Sequence, residues 1–254
     1  MAGRLGYRAP RPLVRALTGL ARGALLMSGV WLAGAAAADI TSARYQDPTT
    51  RYAHGVLGDA IEYGALELTT DAGAVWRVVL PQSLVFEDVA PRLWDVTGDG
   101  APEVVVVESH QSKGARLAIY DETGRIAQTP YIGQRNRWLA PVGAGDLDGD
   151  GQIEVAYVDR PHLAKTLRVW RLSKGKLVQV ASLPGVTNHQ IGWDYIVGGL
   201  RNCAGQRPEL FLADGGWRSV VAIQLDAKAL SQTKLGPYSD AALSKALACN
   251  SSDR

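Results

Sequence analysis

The chain repeats itself with a period of about 51 residues, and that period limits its architecture more than any other feature. The segment WDVTGDGAPEVVVVES at 94–109 matches GDLDGDGQIEVAYVDR at 145–160, so that Asp95 and Asp146, and Glu103 and Glu154, stand 51 positions apart. A second pattern keeps the same step: alternating apolar strands followed by a turn begin at Ala65, Arg116, Thr166 and Ser219. The local reading of one unit is strand, loop, strand, turn, strand. The runs Val104-Val105-Val106-Val107 and Val155-Ala156-Tyr157-Val158 are β-branched or apolar throughout, which suits a strand covered on both faces. The following hairpin strand alternates, with Leu167, Val169 and Leu172 among Arg168, Trp170 and Arg171, as a half-exposed strand does.

A unit of this kind cannot bury both faces alone and needs a neighbour on each side. The period and the strand content therefore predict an all-β fold, a small β-propeller or propeller-like array of about four blades. The units fall near 54–85, 86–135, 136–186 and 187–238, with a tail at 239–254. The first is abbreviated and lacks the acidic loop. A closed ring, an open stack and a ring completed by terminal strands are all compatible with the count. Helical period is absent from 39 onward until SDAALSKALAC at 239–249, where Ser239 or Asp240 can cap a short helix.

Residues 1–38 are read as a signal peptide rather than as part of the fold. They carry Arg4, Arg8, Arg11, Arg15 and Arg22, no acidic residue, an apolar run from Gly23 and an alanine-rich exit at 35–38. The apolar run is about 15 residues, shorter than the roughly 20 a spanning helix needs, so cleavage is expected rather than an anchor or membrane insertion. The remaining 39–254 form one domain. The segment takes five of the 27 basic residues and none of the 25 acidic ones, which leaves the remainder at a net −3. With no basic run interleaved with aromatics, nucleic-acid binding is excluded. A periplasmic or secreted location follows, and in that oxidising setting Cys203 and Cys249 are expected to form a disulfide.

The acidic loops carry the most specific chemistry. Asp146, Asp148 and Asp150 alternate, Gly149 and Gly151 permit a tight turn, Gln152 offers a carbonyl, and Glu154 follows at the ninth position. Alternate carboxylates in such a turn can converge on a calcium ion, which takes six to eight hard oxygens. The earlier loop, Asp95, Thr97, Asp99 and Glu103, has a neutral oxygen in the middle and is the weaker site. The copy at 198–215 has lost the pattern: Gly199, Arg201 and Cys203 stand at the three aspartate places and only Glu209 persists.

These loops resemble the FG-GAP/VCBS repeat family, the calcium-loop blades also found in integrin α-subunit propellers. The resemblance rests on the D-x-D-x-D-G loop leading into an apolar strand and covers roughly residues 60–230. It implies a β-propeller with structural calcium and no single activity. This chain departs from it in using Glu103 and Glu154 where the family commonly has Asp.

Neither a nucleophile elbow nor a zinc-protease motif is present. In a propeller the loops that lead into the innermost strands open near one face of the axis. Here they bear Glu87 and Asp88, Arg137 and Trp138, Asn188 and His189, with His54 at the matching place in the first unit. These residues are candidates for one ligand pocket. Two functions remain: a non-catalytic binding or scaffold module taking a protein or glycan ligand, which the sequence favours, or an enzyme with His54 or His189 as base and Arg137 as an anion partner.

Overall fold

The computed structural model describes residues 38–227 and 229–249. Except for Ala38, the expected signal segment lies outside the described residues. The described chain is β-rich: β1 (Ile40–Thr49), β2 (Glu62–Thr70), β3 (Val75–Val79), β4 (Leu84–Phe86), β5 (Arg92–Trp94), β6 (Glu103–His110), β7 (Gly114–Asp121), β8 (Gly124–Gln128), β9 (Leu139–Gly145), β10 (Glu154–Asp159), β11 (Thr166–Ser173), β12 (Lys176–Pro184), β13 (Val186–Thr187), β14 (Gly199–Arg201), β15 (Glu209–Asp214), β16 (Ser219–Asp226) and β17 (Ala229–Pro237), closed by helix α1 (Asp240–Leu247).

The strands form three antiparallel sheets. One runs β9-β10-β11-β12, and another runs β13-β15-β16-β17 with β14 also on β15. The other sheet has eight strands, because β2 pairs with β4 through Tyr63 and Phe86 and so joins the first two repeat units. Four separate units are expected from the repeat, and this one pairing reduces them to three sheets. The strand β1 lies outside the units read from the repeat. It pairs with β2 along nearly its whole length, from Ile40 opposite Thr70 to Thr49 opposite Glu62. Its sequence, ITSARYQDPT, is mostly polar and half solvent-facing, so it has no regular apolar pattern by which to be seen.

The continuous apolar runs are explained by what lies on either side of them. In β6, Val105 and Val107 pack with Leu117, Ile119, Leu139, Val155 and Tyr157. Their neighbours Val104 and Val106 face the other way, onto Leu66, Leu68 and Phe86. In β10 the same division holds: Val155 and Tyr157 face back to β6 and β7, while Ala156 and Val158 face on to Leu210, Leu212 and Val221. Strand side chains alternate between faces, so a strand between two neighbours must be apolar at every position. Each fully buried valine contributes about 1.5–3 kcal/mol over leaving it exposed, so these runs dominate the contact between units.

Turn chemistry sets the outer hairpins. Lys174 and Gly175, both with positive φ (50° and 73°), make the two-residue turn between β11 and β12, the geometry whose twist matches the flanking strands. At the other end of the chain, the Ser239 side chain accepts the Ala242 N–H at 3.0 Å and starts α1. Leu243 then buries against Phe211 and Val220. Cys203 and Cys249 form the expected disulfide, with Cα atoms 5.7 Å apart.

Candidate functional site

The two acidic loops fold alike, and their first aspartates work on the backbone. Asp146 Oδ1 accepts the N–H groups of Gly149 (2.8 Å) and Asp150 (3.0 Å), and its Oδ2 accepts that of Gly151 (2.9 Å). Asp95 accepts the N–H groups of Gly98 (2.6 Å) and Gly100 (3.0 Å) in the same way. The two glycines of each loop all have φ between 79° and 92°, a region that a side chain disfavours. The closing glutamates reach back as well: Glu154 accepts from Leu147 N–H at 2.9 Å, and Glu103 from Val96 N–H at 2.7 Å. This local bonding makes the acidic pattern a turn-forming device before any ion is considered.

Of the expected calcium ligands, Asp146, Asp148 and Glu154 bring carboxylate oxygens within 4.8 Å of one another. Asp150 stands outside that group, with its carboxylate on the Gln152 N–H (2.9 Å), and Gln152 turns its own side chain to Asp150. At the weaker loop, Thr97 and Glu103 bond to each other at 3.1 Å, and Asp99 caps Ala101 N–H at 2.9 Å. The stronger loop also holds a cation of its own. Arg171, opposite Glu154 in the β10–β11 register, bonds Asp148 (3.0 Å), Asp150 (2.8 Å) and Glu154 (2.5 Å). The decayed loop uses the same solution, with Arg201 on Glu209 at 2.6 Å. The sequence contains the signal for Arg171, but it is visible only once β10 and β11 are set in register. The fit to a cation is supported by Asp148 Oδ1, a buried oxygen with no hydrogen-bond partner.

A second constellation lies where loops from three units meet. A cleft of about 230 Å³ is lined by His54, Arg137, Trp138, Arg160, His162 and Ile191, among others. The loops touch directly: Gly192 N–H donates to Val56 O at 3.1 Å, and a Cβ on Gly58 would come within 2.8 Å of Gly192 O. Any larger residue at 58 would push the walls apart.

Of the seven residues expected to share a pocket, His54, Arg137 and Trp138 line the cleft. Glu87 and His189 lie behind it, wholly buried. His54 Nδ1 is 2.5 Å from Glu87 Oε1, and Ser109 donates to the other oxygen of Glu87. Burial pushes the Glu87 carboxyl above its usual range, and the bonds from His54 and Ser109 pull it back. An ionised Glu87 can only accept, so His54 then donates from Nδ1, and in the neutral ring Nε2 is left as an acceptor. Trp138 donates its indole N–H to Glu87 O at 2.7 Å. Asn188 has another role: its amide donates to Ala140 O (3.3 Å) and Pro141 O (3.4 Å) in a fully buried position. Asp88 pairs with Arg92 instead of facing the cleft.

Arg160 and His162 escape the sequence reading because they sit in the β10–β11 turn, not in a loop leading into an innermost strand. Arg160 has φ 47° and is held by Asp159 at 2.8 and 3.0 Å. His162 Nε2 is 2.9 Å from His189 Nδ1, and His189 Nε2 is 2.9 Å from Trp193 O. The carbonyl can only accept, so His189 donates from Nε2, and in the neutral rings its Nδ1 accepts from His162 Nε2. Burial, with His189 and His54 nearby, pushes His162 down to about 4, and burial lowers His189 as well. The unfolded chain takes up protons that these folded rings refuse. Stability is therefore expected to fall as the pH drops from about 6.5 to about 4, and His162→Gln should make that fall shallower. Thermal melts of both proteins across this range test it; parallel curves would count against the assignment.

Residues 95–157 match the family described as FG-GAP-like repeat. No curated protein matches the chain. Among solved structures, the crystal structure of rhamnogalacturonan lyase YesW is similar at 17% identity and a TM-score of 0.39, over 75% of this chain and 39% of that one. The chain thus spans about two-fifths of that protein's length. Among the described residues, no helix is long and apolar enough to cross a membrane. The chain carries an FG-GAP-like repeat, and the matched segment contains both acidic loops.

Proposed function

We propose that the chain is an exported, β-propeller-like binding module that takes a small hydroxylated anion in the His54–Arg137 cleft. The observation that carries this reading is the donor and acceptor set of the cleft. Arg137 lines it with no acidic partner among the described residues, its guanidinium donating to the Asn136 carbonyl at 2.9 Å. His54 Nε2 and neutral His162 line it as well, and neutral imidazole offers an acceptor to a hydroxyl. An anion bearing hydroxyl groups meets both demands. The apolar wall of Trp138 fits a carbon skeleton. Stacking of the units face to face, with β6 and β10 each covered on both sides, supports the propeller-like arrangement. The disulfide supports an oxidising compartment.

The test is titration calorimetry against hydroxy acids, uronic acids and sugar phosphates. Arg137→Ala is expected to weaken binding at least tenfold with an unchanged melting temperature, since the Arg137 guanidinium bonds only the adjacent Asn136 carbonyl among the described residues. Equal affinity in wild type and variant would remove the reading.

Calcium at the 146–154 loop belongs to the same proposal. Asp146, Asp148 and Glu154 would hold it, and it would supply structural neutralisation of the loop. Arg171 already supplies part of that neutralisation, so the calcium effect on the wild type is modest. Chelation is expected to lower the melting temperature by a few degrees, and Asp148→Ala should abolish the difference. Identical wild-type curves with calcium and with chelator would sink this part.

One observation favours a second reading, catalysis in the same cleft. The wholly buried Glu87 orients His54 as a carboxylate orients a general base. Nuclear magnetic resonance of the bound compound over hours discriminates: a new product supports proton transfer at His54, and an unchanged compound leaves binding alone.

A further inference from the structure

We infer that the half-buried rings of Tyr195, Trp193, Trp217 and Tyr238 form a stacking platform for pyranose rings, so that the ligand is an acidic oligosaccharide with its charged unit in the cleft. This rests on the cleft reading above for the charged end, and on separate residues for the rest.

The four rings come from three separate segments and touch in series. Trp193 and Tyr195 stack at 4.7 Å with planes 9° apart. Trp217 meets Trp193 edge-on at 5.2 Å, and Tyr238 meets Trp217 edge-on at 4.9 Å. All four keep part of their surface in solvent, and Tyr195 is 42% exposed. The series continues inward. His189 lies 6.3 Å from Trp193 and 4.9 Å from Trp138, the apolar wall of the cleft. The bond from His189 to the Trp193 carbonyl fixes the loop that bears the platform to the back of the cleft.

Trp217 is held against its own preference. It occupies the β15–β16 turn at φ 57°, a conformation costly for a bulky side chain and easy for glycine. The turn is held by Asp214, whose carbonyl accepts the Trp217 N–H at 2.9 Å and whose carboxylate accepts the Arg218 N–H at 2.8 Å. A large ring at such a position, on the surface, is a departure from local preference of the kind found at functional sites.

The surroundings choose the occupant. Gln190, Asp194, Arg218 and Ser239, next to or near the rings in the chain, are exposed. A protein interface of stable size buries at least about 1,200 Å² and keeps charge out of its centre. Rings that alternate along the chain with the exposed, charged Asp194 and Arg218 do not offer such an uncharged centre. A sugar does: its C–H faces pack on aromatic planes, and its equatorial hydroxyls reach carboxylates, amides and guanidinium groups at the rim. The cleft's unpaired Arg137 adds the demand for an acidic unit.

The experiment is an array of neutral and uronate-bearing oligosaccharides probed with the wild type, followed by titration of the strongest-bound member. Tyr195→Ala and Trp193→Ala are compared with Arg137→Ala, and melts confirm the fold. Tyr195 is the most exposed of the four rings, so its removal is expected to disturb the fold least. The expected result is binding of an acidic member, weakened at least fivefold by Tyr195→Ala and at least tenfold by Trp193→Ala and by Arg137→Ala. Loss with Arg137→Ala but none with either ring variant overturns the platform and leaves the cleft reading standing. Loss with the ring variants alone, with neutral members bound equally well, keeps the platform and overturns the acidic unit and the cleft reading. No binding to any member, or binding untouched by all three variants, overturns the inference.

Discussion

Replacing Cys203 with serine is expected to lower the melting temperature of the oxidised protein by up to roughly 8–16 °C. The bridge to Cys249 closes a loop with a sequence separation of 46 residues. Chain-entropy reasoning gives about 4 kcal/mol for that length as an upper figure, and each kcal/mol moves the midpoint about 2–4 °C in a domain of this size. The bridge also holds α1 in place. Only Leu243 of that helix is buried, against Phe211 and Val220, and Arg201 donates to Ala246 O at 3.1 Å. Eight residues are too few to be helical alone in water, so hydrogen exchange across Asp240–Leu247 should rise sharply in the variant. Differential scanning calorimetry with and without reductant measures the first effect. Coincident wild-type and Cys203→Ser curves would show that the bridge constrains nothing.

Arg171→Ala should produce the second large effect, and one that calcium repairs. The substitution leaves Asp148, Asp150 and Glu154 facing one another with no guanidinium between them. Removing one partner of a buried charge pair costs about 3–5 kcal/mol, because the remaining charge stays desolvated; here that holds for the buried Glu154, while Asp150 is 40% exposed and contributes little. Arg171 lies at the loop's rim, with 14% of its side chain exposed, so water screens part of the repulsion and the low end, about 3 kcal/mol, is expected. In millimolar calcium the ion takes over the neutralisation, and most of the loss should return. Melts of the variant in chelator and in calcium, beside the wild type, decide the matter. A variant as stable as wild type in chelator would mean that Arg171 is an incidental surface contact. A destabilised variant that calcium does not rescue would leave Arg171 structural and remove the metal from the loop.

Legibility in the sequence followed the physical range of each interaction. The acidic loops, the Lys174-Gly175 turn and the Ser239 cap each depend on groups within a few residues of one another, and short sequence patterns reveal them. The disulfide was legible for a different reason: with two cysteines only one intrachain pairing exists. The pocket was legible in part. The repeat places His54, Arg137 and Trp138 at equivalent loops, and the structure sets them on one cleft. The same argument gave Asn188 and Asp88 a place there, but an amide surrounded by the Ala140 and Pro141 carbonyls and a carboxylate beside Arg92 have nearer partners.

By itself, the sequence determined the β-rich units, their period, the apolar strands covered on both faces and the acidic turns, because periodicity and turn chemistry act locally along the chain. Only the tertiary structure decided that β1, polar along most of its length, completes the first sheet, and that Tyr63 opposite Phe86 merges two units into it. Both depend on backbone hydrogen bonds, which carry no side-chain signature. The structure alone also decided that the best acidic loop already holds a cation. Arg171 is 17 residues beyond Glu154 in the chain and directly opposite it across the hairpin. Register, not spacing along the sequence, sets which charges meet, and register is fixed by packing across the whole domain.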